Sequence, residues 1–232
     1  MSNVTQAIRS IFSNNESKGT QIVSSQFAPG QNPVVGGIDV VTRLKTYNEQ
    51  PIHAIIDDSG SMSGAKSLET SKAVTALLAE LAEPKNKDGF RVNLISFGSS
   101  SEMVSTSAAP ETISFAFSGS RGGTNAVPAL MLAQNAEKTF IPRPDRRRVP
   151  GMVVFMSDGQ LSDTEEAIRV ANDMKEFGIT IITIGFGADA DIATLKTIAT
   201  SPQHYAFANV GSLVGLFSKV GKTISQQLTK AT

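Results

Sequence analysis

Residues 179–184 read ITIITI, a continuous β-branched run. A strand of that composition wants both faces covered, as in a parallel sheet sandwiched between helices. From residue 51 onward, strand-like and helix-like patterns alternate. Strands are expected near 52–57, 91–97, 102–105, 152–157, 179–185 and 203–207. Between them, Val74, Leu77, Leu78 and Leu81 recur at helical spacing before Pro84. Ala167, Ile168, Ala171 and Met174 do the same behind Asp163, the expected N-cap. A last stripe runs through Leu213, Leu216, Phe217, Val220, Ile224 and Leu228. This alternation implies an α/β fold: a doubly wound, Rossmann-like, mostly parallel sheet with right-handed crossovers and flanking helices.

A chain of 232 residues with 40% apolar content is long enough to bury one large α/β core. Lys+Arg and Asp+Glu balance at 21 each, which argues against a general nucleic-acid or anionic-membrane binder. The absence of cysteine excludes disulfides and thiolate zinc sites. There is no signal-peptide pattern and no run as long as a membrane span, so a cytoplasmic location is the default expectation. Residues 1–50 differ from the rest. Val4, Ala7, Ile8, Ile11 and Phe12 share one face of a short helix, a Ser/Gln/Gly/Pro-rich linker follows, and Ile38 to Tyr47 is a candidate extra edge strand. Residues 51–232 form the expected main domain.

The chemistry concentrates at the ends of two of the strands. In 52–63, IHAIIDDSGSMS, an apolar run ends in a carboxylate, giving Asp57, Ser59 and Ser61 as D-x-S-x-S. Short oxygen-bearing side chains two residues apart, with Gly60 loosening the turn, can bend toward one point. That suits a small, hard cation with oxygen ligands. It suits catalysis poorly, because no histidine, cysteine or lysine lies close enough in sequence to act as a base. Gly122, Gly123 and Thr124 add a further hydroxyl before a helical pattern. The run 152–159, MVVFMSDG, is a second buried strand ending in Asp158.

Asp57, Ser59, Ser61, Thr124 and Asp158 resemble, in order and local context, the metal-ion-dependent adhesion site of von Willebrand factor type A (vWA) domains. The resemblance covers roughly residues 50–228. It implies a six-stranded sheet in the order 3-2-1-4-5-6 with a short antiparallel third strand. The strands ending at Asp57 and Asp158 would then be neighbours where the strand order reverses, the place open α/β sheets bind ligands. The resemblance also implies that Ser59, Ser61 and Thr124 ligate the ion directly, with Asp57 and Asp158 acting directly or through water. An open coordination position would take an Asp or Glu from a protein partner. Magnesium is the expected cofactor, with manganese or calcium as substitutes. Two carboxylates ~5 Å apart repel by roughly 3 kcal/mol at an effective dielectric of ~20, which a divalent ion relieves. The implied function is a metal-dependent protein–protein interaction module, not an enzyme. The nearest resemblance is to stand-alone prokaryotic vWA proteins of the tellurium-resistance and stress-response type. An alternative is an adaptor subunit for an AAA+ ATPase of the MoxR or chelatase kind.

Competing signals are weaker. Residues 60–67, GSMSGAKS, nearly spell a P-loop, but Ala65 stands where the second glycine belongs. Asp57 and Asp58 also put negative charge where phosphates would bind. A nucleotide hydrolase is therefore the least supported reading. Asp58 is expected to point away from the ion, as structural support or a nearby charge. Arg143, Arg146, Arg147 and Arg148, among three prolines, read as a solvated loop more readily than as an anion grip. His53 and His204 have no metal-spaced companion and read as structural.

Overall fold

Strand β1 (Tyr47–Asp57) forms the spine of the molecule, and all of it except Tyr47 is buried. The computed structural model describes residues 47–230. The Val4–Phe12 helix, and the candidate edge strand up to Thr46, lie outside those residues. The remaining strands are β2 (Phe90–Phe97), β3 (Ser101–Ala108), β4 (Arg146–Arg148), β5 (Met152–Ser157), β6 (Thr180–Phe186) and β7 (Tyr205–Ala208). The helices are α1 (Ala65–Leu81), α2 (Val127–Thr139), α3 (Thr164–Glu176), α4 (Ile192–Ile198) and α5 (Leu213–Lys230).

The strands make one mixed sheet in the order β3-β2-β1-β5-β6-β7, with β4 pairing separately with β1. Among the described residues only the β2–β3 pair is antiparallel. Both faces are covered, as the apolar strands require. Ile52, Ala54 and Ile56 pack toward α1 and α5, while Ile55 joins the cluster under α2, α3 and α4. The period-2 pleat thus divides one strand between two cores. The expected helical stripes are the buried ones: Val74, Leu77, Leu78 and Leu81 on α1, and Leu213, Leu216, Phe217, Val220, Ile224 and Leu228 on α5. Gly89 lets the end of α5 close onto the sheet. A Cβ there would collide with Leu228 and lie 3.0 Å from the Asn48 carbonyl.

Among the described residues the sheet has seven strands, one more than expected. β5 begins opposite Ile52, so the first residues of β1 would be left with an unpaired edge. Arg146–Arg148 fills that edge, in register with Tyr47–Glu49. The basic segment is therefore not a solvated loop. Glu49, 1% exposed, accepts from the Arg143 backbone N–H and from Arg143 Nε, each at 2.7 Å. Arg148 Nη2 donates to Glu137 Oε1 at 2.8 Å, and the Arg146 guanidinium lies over the Tyr47 ring. Pattern reading missed this because three arginines carry no strand signal. The pairing is imposed by backbone hydrogen bonding.

Both histidines are held by near neighbours. His53 Nε2 meets Glu137 Oε2 at 3.0 Å, and Asn93 Nδ2 lies 3.2 Å from His53 Nδ1. His204 Nδ1 lies 2.7 Å from Ser201 Oγ, and burial pushes the His204 pKa down. Among the described residues, no helix is long and apolar enough to cross a membrane.

Candidate functional site

The C-terminal ends of β1 and β5 lie side by side at the switch point, with Ile56 opposite Met156. Asp57 and Asp158 are both fully buried, and Ser59 is 1% exposed. Asp57 Oδ1 accepts from the Ser59 N–H at 2.8 Å, which folds the chain back sharply after the strand. Its other oxygen accepts from Ser157 Oγ at 2.6 Å. The turn after Ser59 is one turn of 3-10 helix, Gly60–Met62, anchored by the fully buried Met62. Gly64, at φ 72°, then lets α1 begin.

That turn stacks the hydroxyls. Ser59 Oγ lies 3.1 Å from Ser61 Oγ, and Ser61 Oγ donates to Asp158 Oδ1 at 2.7 Å. Four of the five expected site residues are thus linked from the buried Asp57 out to the exposed Ser61. Thr124, half-buried, sits on the adjoining turn. The Gly122 carbonyl accepts from the Gly60 N–H at 2.8 Å, and the Thr124 carbonyl from the Ser162 N–H at 3.0 Å. The Thr124 hydroxyl hydrogen-bonds none of the other four.

Burial, the largest influence on Asp57, raises its carboxyl pKa. The hydrogen bonds from Ser157 and Ser59 work against that, and the charge of Asp158 adds to it. Among the described residues, no basic side chain forms an ion pair with Asp57. The donor set fits a hard divalent ion. Oxygen–oxygen separations of 2.7 and 3.1 Å match the edge of roughly 2.9 Å of an octahedron with metal–oxygen bonds of about 2.0–2.1 Å. Among the described residues no group of three or more His, Cys, Asp or Glu is placed to hold a metal ion. A metal here would be held by hydroxyls and only two carboxylates.

The von Willebrand factor type A domain model matches residues 52–218, which contain all of this geometry. The chain belongs to that family. Its members commonly mediate protein–protein interaction. A von Willebrand factor A domain-containing protein of Dictyostelium discoideum is 27% identical over 157 residues, 63% of this chain but 16% of the relative. The chain therefore spans about a sixth of that protein. The vWF domain of the type V pili tip protein Mfa5 from Porphyromonas gingivalis superposes with TM-score 0.61 at 15% identity, covering 79% of this chain and 97% of that one. Proximal thread matrix protein 1 from the mussel byssus, solved with a zinc-occupied MIDAS motif, gives TM-score 0.59 at 18% identity, covering 78% and 49%. At these identities the likeness to the solved structures establishes the vWA fold.

Three residues of this vWA domain have partners that the sequence did not reveal. Asp58, 2% exposed, turns away from Ser59 and Ser61, as expected of a structural support. Its Oδ1 accepts from the Ser118 and Gly119 N–H groups at 2.8 and 2.5 Å, and Arg121 Nε lies 3.4 Å from Oδ2. It anchors the loop that leads into Thr124. Asp163 stands at the N-cap position of α3, as expected, but does not cap that helix. Its two oxygens accept instead from the Ala126 and Val127 N–H groups at 2.9 and 2.8 Å, at the start of α2. No local pattern announces a cap across two elements. Lys66 is the third. Its ammonium is bonded to Asp158 Oδ2, whereas the P-loop reading needs that side chain free for phosphates.

Proposed function

We propose that the protein is a divalent-metal-dependent interaction module that captures a carboxylate of a protein partner, and that it is not an enzyme. Asp57, Ser59, Ser61, Thr124 and Asp158 would hold the ion, which is magnesium in the cell, with manganese or calcium able to replace it. When bound, the ion supplies an electrophilic point for an incoming Asp or Glu. The observation that carries this reading is the run of hydrogen-bonded oxygens from Ser59 through Ser61 to Asp158, at spacings that suit octahedral coordination, on a turn that Asp57 fixes through the Ser59 N–H.

The protein's own groups divide the work. Asp57 fixes the turn that presents Ser59 and Ser61. The exposed Ser61, Gly122 and Gly123 leave a way in from solvent. With so much neutral hydroxyl among the ligands, a metal would keep much of its positive charge for the partner. The zinc-occupied site of the mussel relative supports a divalent ion at this place in the fold.

The test is calorimetric titration of the full chain with magnesium, manganese and calcium, repeated on Asp57→Ala and Ser61→Ala. Wild type should bind one ion, and each variant should bind it at least about tenfold more weakly. At a metal concentration ~100 times Kd, the gain in stability is about 2.7 kcal/mol. That corresponds to a rise in Tm of roughly 5–10 °C. A glutamate-bearing peptide should bind only the metal-loaded wild type. Failure of the wild type to take up any of the three metals would remove the proposal.

A further inference from the structure

The two oxygens of Asp158 have different partners. Oδ1 accepts from Ser61, within the candidate metal site. Oδ2 is bonded to the Lys66 ammonium, which reaches it from the first turn of α1. The lysine is not a loose surface cation, since its side chain is 21% exposed. Its stem lies against the turn after β6, where a Cβ on Gly187 would sit 3.4 Å from Lys66 Cε and 3.5 Å from Nζ. Gly187, at φ 86°, makes that turn. The fold therefore places one fixed positive charge one carboxylate away from the candidate ion, and it neutralises one of the site's two carboxylates.

We infer that Lys66 is a positioning residue that sets the balance between metal retention and partner capture. By occupying Asp158 Oδ2 it limits the negative charge offered to the ion. The site then holds its metal less tightly, and the bound metal keeps more attraction for an external carboxylate. This rests on the metal-site reading of Asp57, Ser59, Ser61, Thr124 and Asp158. A unit charge so close to a divalent ion shifts its binding by about tenfold or more, even when partly screened.

The experiment compares wild type, Lys66→Met and Lys66→Arg by manganese titration and, once loaded, by titration with a glutamate-bearing peptide. Lys66→Met should bind manganese at least about tenfold more tightly and the peptide at least about threefold more weakly. Lys66→Arg keeps the charge and should stay within about threefold of wild type in both. Lys66→Gln is the second neutral variant, used in the same way should methionine disturb the fold. If wild type binds manganese and the neutral variants bind it equally or more weakly, the role assigned to Lys66 is wrong. It is equally wrong if Lys66→Arg changes as much as Lys66→Met. A wild type that takes up no metal overturns the metal-site reading itself, a result distinct from either of these.

Discussion

Glu137 shows how a single side chain can be committed from several directions. Burial pushes its carboxyl pKa up, but the hydrogen bonds from His53 and Arg148, the charge of His53 and the Gly151 N–H outweigh that and hold it below the usual range. Because the folded pKa is depressed, its contribution to stability is in place above the unfolded value of about 4.3 and is lost as pH falls through the lower folded value. Glu137→Gln should cost about 1–3 kcal/mol near pH 7 by leaving His53 and Arg148 poorly paired. The deficit should begin to shrink as pH falls below the unfolded value and be lost once pH is below the depressed folded one. Urea unfolding of both proteins across that range reads the difference. An equal deficit at every pH would contradict it. Residues of this kind were only half legible in the sequence. His53 could be read as structural, but its partner lies 84 positions away, and spacing carries no trace of such a contact. Asp57, Ser59 and Ser61 were legible for the opposite reason: their geometry comes from one short turn.

Between elements, the rim of the site is made rigid mainly by hydrogen bonds to backbone groups. The Arg121 N–H donates to the Asp58 carbonyl at 3.0 Å, the Asn125 N–H to the Gly98 carbonyl at 2.8 Å, and the Gly123 N–H to Ser99 Oγ at 2.7 Å. Asp163 adds the tie from the loop after β5 to the first turn of α2. Asp163→Ala should therefore destabilise the protein by about 1–2 kcal/mol, the usual cost of a lost N-cap. It should also weaken metal binding by loosening the turn that carries Thr124. Differential scanning calorimetry and a manganese titration of the same preparation measure both. A variant equal to wild type in each would show that the tie is dispensable. Element existence was legible wherever apolar periodicity was strong, as in α1, α5, β5 and β6. It failed at β4, where three arginines are strand only because β1 outruns its neighbour.

In the molecule as a whole, one sheet separates two cores that share almost no side chains. Leu77 on α1 belongs to one and Leu130 on α2 to the other, and both are fully buried. Leu77→Ala and Leu130→Ala should each cost about 2–5 kcal/mol. Because the sheet lies between them, the double variant should equal the sum to within about 0.5 kcal/mol. Denaturant titrations of the four proteins test this, and a large coupling energy would mean that the two faces repack together. The strand order expected from the family resemblance agrees with the sheet, because alternating apolar strands and amphipathic helices leave few ways to wind.

The wedge at Gly89 has a practical corollary. It brings the close of α5 beside Asn48, at the opposite end of β1 from Asp57. An eleven-residue strand spans roughly 35 Å. Whatever is tethered near Tyr47 or Leu228 (a bead, a fluorophore, a neighbouring globule) would be fastened to the back of the molecule, leaving the oxygen-lined mouth facing outward.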